Sequence, residues 1–340
     1  MNYKLFGKSG LRVSELCLGT MTFGTATFGT DSTIGADYST SKEVFDVFAN
    51  AGGNFIDTAN RYHDGISEKW TGEFIAQDRD HFVLATKYTL FDKRDDPNFS
   101  GNHRKNMMRS VEASLKRMKT DFIDLLWVHA WDFTTPEEEV LRGLDDLIRQ
   151  GKVHYIGISD TPAWVVSRMN TMAELNKWTQ FVGLQIEFSL LQRTVERELL
   201  PMAKALGLSV TPWGALGGGA LSGKYLKGEK GRVPANSARR SDANTKIAEQ
   251  IVKIADELGV PPAQLALNWV RQHDKNIIPI VGARRPEQLK ESLGCLNFTI
   301  PDKEMQQLNE VSKIELGFPQ SFYVYANDII FGGTQNKIIR

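Results

Sequence analysis

Short apolar runs alternate with amphipathic stretches along most of the chain, at intervals of roughly 30 residues. The apolar runs fall at residues 15–21, 54–59, 82–88, 123–130, 153–159, 183–189, 208–216 and 276–283. Several are almost continuously hydrophobic, as strands covered on both faces require. Between them the period lengthens to that of helices. Residues 102–119 carry Met107, Met108, Val111, Leu115 and Met118 on one face, and 41–52 begins with a serine and stops at Gly52-Gly53. Thr135-Pro136 followed by Glu137, Glu138 and Glu139 marks a helix start, with acids near the positive end of the dipole. Thr161-Pro162 and Arg285-Pro286 repeat the device, and residues 241–258 and 261–273 predict two helices between the seventh and eighth strands.

Eight strand–helix alternations predict a closed parallel (β/α)8 barrel, an α/β fold in a single domain over residues 1–340. An open doubly wound sheet would place Gly-x-Gly-x-x-Gly after its first strand, and Gly19-Thr-Met-Thr-Phe-Gly24 lacks that spacing. The densest glycines, Gly214 to Gly223, instead follow the seventh strand, where barrels often hold phosphate. Residues 3–13, with Gly7 and Ser9-Gly10 at their centre, predict a β-hairpin plugging the barrel's base. The aromatic tail from Leu316 has no helical period and reads as a packed surface segment or as a lid over the mouth. Residues 25–35, rich in Thr and Gly, read as a rim loop.

Composition narrows the partners. Lys plus Arg equals Asp plus Glu, 41 against 41, so no net charge recruits nucleic acid or an anionic membrane. Apolar runs are broken well short of the ~18 residues a membrane span needs. The N-terminal residues have no apolar signal core, and a cytoplasmic location is expected. Cys17 and Cys295 form no disulfide framework or metal cluster, so buried thiols and no metal site are expected.

A barrel's reactive groups stand at the C-terminal ends of its strands. There the chain has Asp57, Lys87 and His129, with Tyr62 five residues beyond Asp57. Each alone has a structural explanation: a helix cap, a solvated lysine, a hydrogen-bonded core histidine, a half-buried ring. Together they are chemically coherent, because a lysine after Phe-Val-Leu-Ala-Thr is rarely buried without a partner, and Asp57 could supply one. Delivering hydride to a carbonyl needs a proton for the oxygen. A phenol with a pKa of about 10 can donate it, and a neighbouring ammonium lowers that pKa. His129 could orient the carbonyl.

These residues sit in motifs that resemble the aldo-keto reductase family. They are Gly19-Thr20-Met21, Phe55-Ile56-Asp57-Thr58-Ala59-xx-Tyr62-xx-Gly65-xx-Glu68, Thr86-Lys87, Val128-His129, Gly157-Ile158-Ser159-Asp160, Leu184-Gln185-Ile186-Glu187-Phe188, Leu221-Ser222-Gly223-Lys224-Tyr225 and Ile280-Val281-Gly282-Ala283-Arg284. The resemblance runs in order from about residue 3 to about 325, and is to the branch of bacterial aryl-alcohol-dehydrogenase-like reductases and potassium-channel β-subunits. The resemblance implies a catalytic tetrad of Asp57, Tyr62, Lys87 and His129. It implies NADPH as cofactor, with NADH weaker, and a small carbonyl or alcohol substrate. Ser159, Asp160 and Gln185 would hold the nicotinamide carboxamide, Trp213 would stack on its ring, and Thr20 and Met21 would line the same pocket. Gly214, Ala215, Leu216, Gly217, Gly219 and Lys224 would wrap the pyrophosphate. Gly282 would also contact the cofactor; beyond the eighth strand Arg284, with Arg285 beside it, would meet the 2′-phosphate, and Gln288, Glu291 and Ser292 the adenine. The chain departs from the family pattern at Asp160 and Ser292, each commonly Asn, and at Gly214-Ala215, commonly Ser-Pro.

Two alternatives share parts of this reading: a regulatory subunit sensing nicotinamide redox state, and a barrel aldolase forming a Schiff base on Lys87, which prefers an uncharged lysine. For the substrate pocket, Met21, Tyr88, Phe91, Trp127, Trp131 and the aromatic tail are the sequence candidates, which suggest aldehydes or ketones with apolar or aromatic bodies. The oligomeric state is open.

Overall fold

The computed structural model describes residues 1–25 and 35–338. Two short antiparallel strands, β1 (Tyr3–Leu5) and β2 (Arg12–Ser14), form the expected hairpin. Eight parallel strands follow: β3 (Cys17–Gly19), β4 (Phe55–Asp57), β5 (Val83–Tyr88), β6 (Ile123–Val128), β7 (Val153–Ser159), β8 (Gly183–Glu187), β9 (Ser209–Trp213) and β10 (Ile280–Val281). Their order is β10-β3-β4-β5-β6-β7-β8-β9, and a parallel bridge between Val210 and Ile277 spans the remaining seam. The sheet is thereby a barrel, each strand beside its predecessor.

The helices are α1 (Tyr38–Asn50), α2 (Ile66–Ile75), α3 (Arg104–Met118), α4 (Glu137–Arg149), α5 (Ala163–Asn176), α6 (Leu199–Leu206), α7 (Asp242–Leu258), α8 (Pro262–His273), α9 (Pro286–Leu293), α10 (Asp302–Val311) and α11 (Gln320–Phe331). Local chemistry sets several starts. Asp37 caps α1 by accepting from the Thr40 N–H, earlier than the expected start at residue 41. Ser241 caps α7 from the position its sequence suggests. Pro136 and Pro162 lie one place before their helices rather than at the first helical position. Cys17 and Cys295 are free and buried.

Strand parity organises the lumen, since alternate residues face the same way. Phe55, Ala85, Leu125 and Trp127 belong to the inner core, joined from below by Phe6 of the hairpin and by Cys17, Val83 and Ile278. Phe6 meets Phe55 and Trp127 edge to face, with centroids 5.4 and 6.3 Å apart, so the hairpin closes the base. The broad Trp127 ring fits because β7 and β8 present Gly157 and Gly183 opposite it; a Cβ at Gly157 would overlap the ring. Trp127 is therefore packing beneath the site, not substrate wall as the sequence suggested. Continuing that parity upward brings Asp57, Lys87, His129, Ser159 and Gln185 to the lumen's open end.

The tail differs from expectation. Residues 320–331 are helical, and their apolar residues occur on all sides, which removes the amphipathic period that sequence patterns detect. Val324, Tyr325 and Ile329 are exposed, and Gln320 ties the helix to the Arg197 carbonyl at 2.7 Å. Of the rim loop expected at residues 25–35, residues 26–34 lie outside those described. No helix among the described residues is long and apolar enough to cross a membrane.

Candidate active site

Register sets the centre of the site. Asp57 pairs with Ala85 and Lys87 with Trp127, so Lys87 stands two residues beyond Asp57's partner and shares its face. Lys87 is fully buried and ion-paired to Asp57 Oδ2. Its Nζ also donates to the Thr58 carbonyl at 2.9 Å and to the Tyr62 phenol oxygen at 3.0 Å. Gln185 Nε2 donates to Asp57 Oδ1 at 3.0 Å, occupying the carboxylate's other oxygen. The Tyr62 and His129 rings stand nearly perpendicular, centroids 6.1 Å apart. Asp57 of β4, Lys87 of β5, and Tyr62 and His129 from the segments that follow β4 and β6 thus meet at the barrel mouth.

Their electrostatics follow from burial and neighbours. Burial works against the charged lysine, but Asp57 and Tyr62 outweigh it and hold the ammonium above its ordinary range. Burial raises the Tyr62 pKa; the Lys87 ammonium opposes this without overcoming it. The expectation of a lowered phenol pKa is corrected on that point: the net direction is upward, and the resting phenol is protonated. Burial, followed by the Lys87 charge, holds His129 well below an ordinary imidazole, so it is neutral. Its Nδ1 is buried and without a hydrogen-bond partner in the structure.

Behind the tetrad, polar groups are tied together. Thr20 Oγ1 lies 3.1 Å from the Asp57 carbonyl and 2.8 Å from Ser67 Oγ. Glu68, fully buried, accepts from Thr86 at 2.5 Å and pairs with Arg117 at 2.5 Å, bracing the strand residue beside Lys87. Thr20 is thus committed to the wall and does not line the cleft, contrary to expectation.

A cleft of about 730 Å³ runs from the tetrad across the barrel mouth. Asp57, Tyr62 and His129 border it at one end, together with Met21, Leu90, Ser159, Asp160, Gln185 and Trp213. Gly214, Ala215, Leu216, Gly219, Lys224, Gly282, Arg284, Gln288, Glu291 and Ser292 line it as well. Gly217 is buried behind this lining. Left-handed φ values at Gly217, Gly218 and Gly219 (56°, 69° and 93°) shape this stretch of wall, a backbone few other residues tolerate. Ser159 Oγ is buried without a partner, and the indole N–H of Trp213 lies 3.4 Å from Asp160 Oδ1. Gln288 Oε1 accepts from the Arg284 backbone N–H at 3.0 Å, ordering the turn into α9.

Some expectations fail here and some wall residues were missed. Tyr88 is buried with its hydroxyl toward the Asn102 carbonyl (3.4 Å), and Phe91 packs under the guanidinium groups of Arg61 and Arg94. Of the substrate candidates only Met21 lines the cleft, alongside Leu90. Arg239, which the sequence reading passed over, also lines it and pairs with Glu187 at 2.6 Å. The signal available was the cation-rich run from Lys224 to Arg240 after the glycine loop. Among the described residues no group of His, Cys, Asp and Glu could hold a metal ion.

Fold and site together define a (β/α)8-barrel protein with its polar centre at the C-terminal mouth. The chain belongs to the aldo/keto reductase family, whose model matches residues 15–313, and is an oxidoreductase. It is 38% identical over 325 residues to norsolorinic acid reductase of Aspergillus flavus, covering 94% of this chain and 82% of the relative. It is 36% identical over 322 residues to aryl-alcohol dehydrogenase GME11368 of Pestalotiopsis microspora, covering 92% and 83%. Norsolorinic acid reductase stcV of Emericella nidulans is 39% identical over 323 residues, covering 92% and 82%.

Proposed function

We propose that the protein reduces aldehydes or ketones to alcohols, reversibly, with NADPH as cofactor and Tyr62 as general acid. The observation that carries this reading is the Tyr62 oxygen 3.0 Å from a buried, carboxylate-paired ammonium at the mouth of a long cleft. When bound, NADPH supplies the hydride. The carbonyl oxygen then needs a proton, and Tyr62, kept protonated by burial, is the donor beside the cleft. Because Lys87 donates to the phenol oxygen, its charge stabilises the phenolate left once the proton has gone. Asp57 keeps Lys87 charged and aimed, and the neutral imidazole of His129 can donate a hydrogen bond that orients the carbonyl.

The cleft's residues fit the cofactor. The unpartnered Ser159 hydroxyl, the Asp160 carboxyl and the Gln185 side-chain carbonyl would meet the carboxamide, whose polar atoms need partners once buried. Trp213 offers an aromatic face, the glycine loop offers backbone N–H groups, and Lys224 offers charge for the pyrophosphate. Arg284 would take the 2′-phosphate, with Gln288, Glu291 and Ser292 at the adenine.

A Schiff base on Lys87 is disfavoured by the same geometry, since that chemistry requires the free amine and Lys87 is held as ammonium. Aromatic aldehydes head the list of test substrates, because relatives are named for aryl alcohols and the wall at Met21 and Leu90 is apolar. Tyr62→Phe should bind NADPH as the wild type does, read by tryptophan fluorescence quenching. Turnover, read as loss of NADPH absorbance, should fall by at least about 10²-fold. Full retained activity would remove Tyr62 as the acid, and absence of wild-type turnover on a broad carbonyl panel would favour a regulatory nicotinamide-binding role.

A further inference from the structure

Asp160 lines the cleft beside the tetrad and carries a charge that the reaction itself does not require. It follows the last residue of β7 with a left-handed φ of 43°, a conformation that turns the chain into the cleft. The side chain is exposed and borders the cleft. Its Oδ1 lies 3.4 Å from the indole N–H of Trp213, and the neighbouring Ser159 hydroxyl has no partner. An asparagine here would make the same hydrogen bond to the indole and could both donate to and accept from an amide. What aspartate adds is a negative charge at the edge of the ring on which, under the cofactor reading above, nicotinamide lies.

The two redox forms of that ring differ by one positive charge. A carboxylate interacts with the cationic form and has little net interaction with the neutral one, so it must favour the oxidised cofactor. We propose that Asp160 sets the redox preference of the cofactor site, raising affinity for NADP+ relative to NADPH.

The charged and titratable groups around it do not cancel this. Lys87 on β5 is already paired with Asp57, and Glu187 on β8 is bridged to Arg239. Tyr62 is protonated, and Trp213 on β9 is neutral. Desolvation at the cleft wall raises the Asp160 pKa from its ordinary value, with the Trp213 hydrogen bond and the Lys87 charge opposing. The NADP+ preference therefore develops as pH rises through that raised range and weakens as the carboxyl is protonated below it. By linkage, binding of the cationic form expels the proton.

The test is direct binding, independent of turnover. Dissociation constants for NADP+ and NADPH are measured by fluorescence for the wild type and for Asp160→Asn, from about pH 8 to about pH 5. Taking their ratio cancels the 2′-phosphate, common to both. At the alkaline end Asp160→Asn should lower the preference for NADP+ by roughly tenfold, chiefly by weakening NADP+. Any fall of the wild-type ratio on acidification should be absent from the variant. Should the variant fail to fold, Asp160→Gly, which suits the left-handed backbone and also removes the charge, takes its place. Equal weakening of both forms would overturn the proposal while leaving the cofactor reading intact. If the wild type bound neither form, that reading would fail and this proposal with it.

Discussion

Replacing Asp57 by asparagine tests the centre of the site without changing its shape. The substitution removes the negative charge that compensates Lys87, which is fully buried and whose remaining acceptors, the Thr58 carbonyl and the Tyr62 hydroxyl among them, are uncharged. Removing one partner of a buried ion pair costs about 3–5 kcal/mol, because the remaining charge keeps its desolvation penalty. Folded domains have a net stability of only about 5–15 kcal/mol, so a loss of this size should be plain in urea unfolding. The pH dependence gives a sharper criterion. In the wild type the folded pKa of Lys87 lies above the unfolded value, so its contribution is complete below the unfolded pKa and is lost as pH rises through the folded one. In Asp57→Asn burial is no longer outweighed and the folded pKa drops below the unfolded one, so the variant gains stability as pH rises. The stability gap should be widest near neutrality and should narrow toward alkaline pH. Adding Lys87→Met should restore much of the loss, since no buried charge remains. A loss under about 1 kcal/mol at neutral pH, or a gap that widens on the alkaline side, would refute the buried-pair account.

Three further outcomes are expected. Gly157→Ala should destabilise by about 1–3 kcal/mol in urea unfolding, because its Cβ would overlap the Trp127 ring in a filled lumen. Arg284→Ala should weaken NADPH far more than NADH in fluorescence titrations; an equal loss for both would separate this residue from the 2′-phosphate. His129 is neutral above a pKa held well below the ordinary imidazole value, so kcat/KM should show no step near pH 6.5. A step there that disappears in His129→Gln would contradict the neutral imidazole.

Much of the fold was legible because it is written in local periods. Continuous apolar runs mark strands covered on both faces, helical stripes mark the outer layer, and their strict alternation leaves few topologies. The tetrad could be nominated because barrel chemistry concentrates at strand ends, and Asp57, Lys87 and His129 each end such a run. The helical tail was missed for the opposite reason. Residues 320–331 are apolar on every side, so no period separates a buried face from an exposed one.

Tertiary structure alone decided what each aromatic does and how the charges balance. Trp127 and Met21 are equally plausible pocket residues along the chain. Only the facing Gly157 and Gly183 make room for Trp127 in the lumen, a contact between strands remote in sequence. The link from Gln185 to Asp57 spans 128 residues and has no local signature. The direction of the Tyr62 pKa depends on burial competing with an ammonium. Residue types announce the ammonium, but desolvation is a property of the assembled walls. The amino-acid sequence by itself determined the barrel, its mouth and the kinds of group gathered there, because periodicity and strand ends are local. Packing partners, Arg239 in the cleft wall and the protonation states awaited the folded chain, because each depends on distances between residues far apart in sequence.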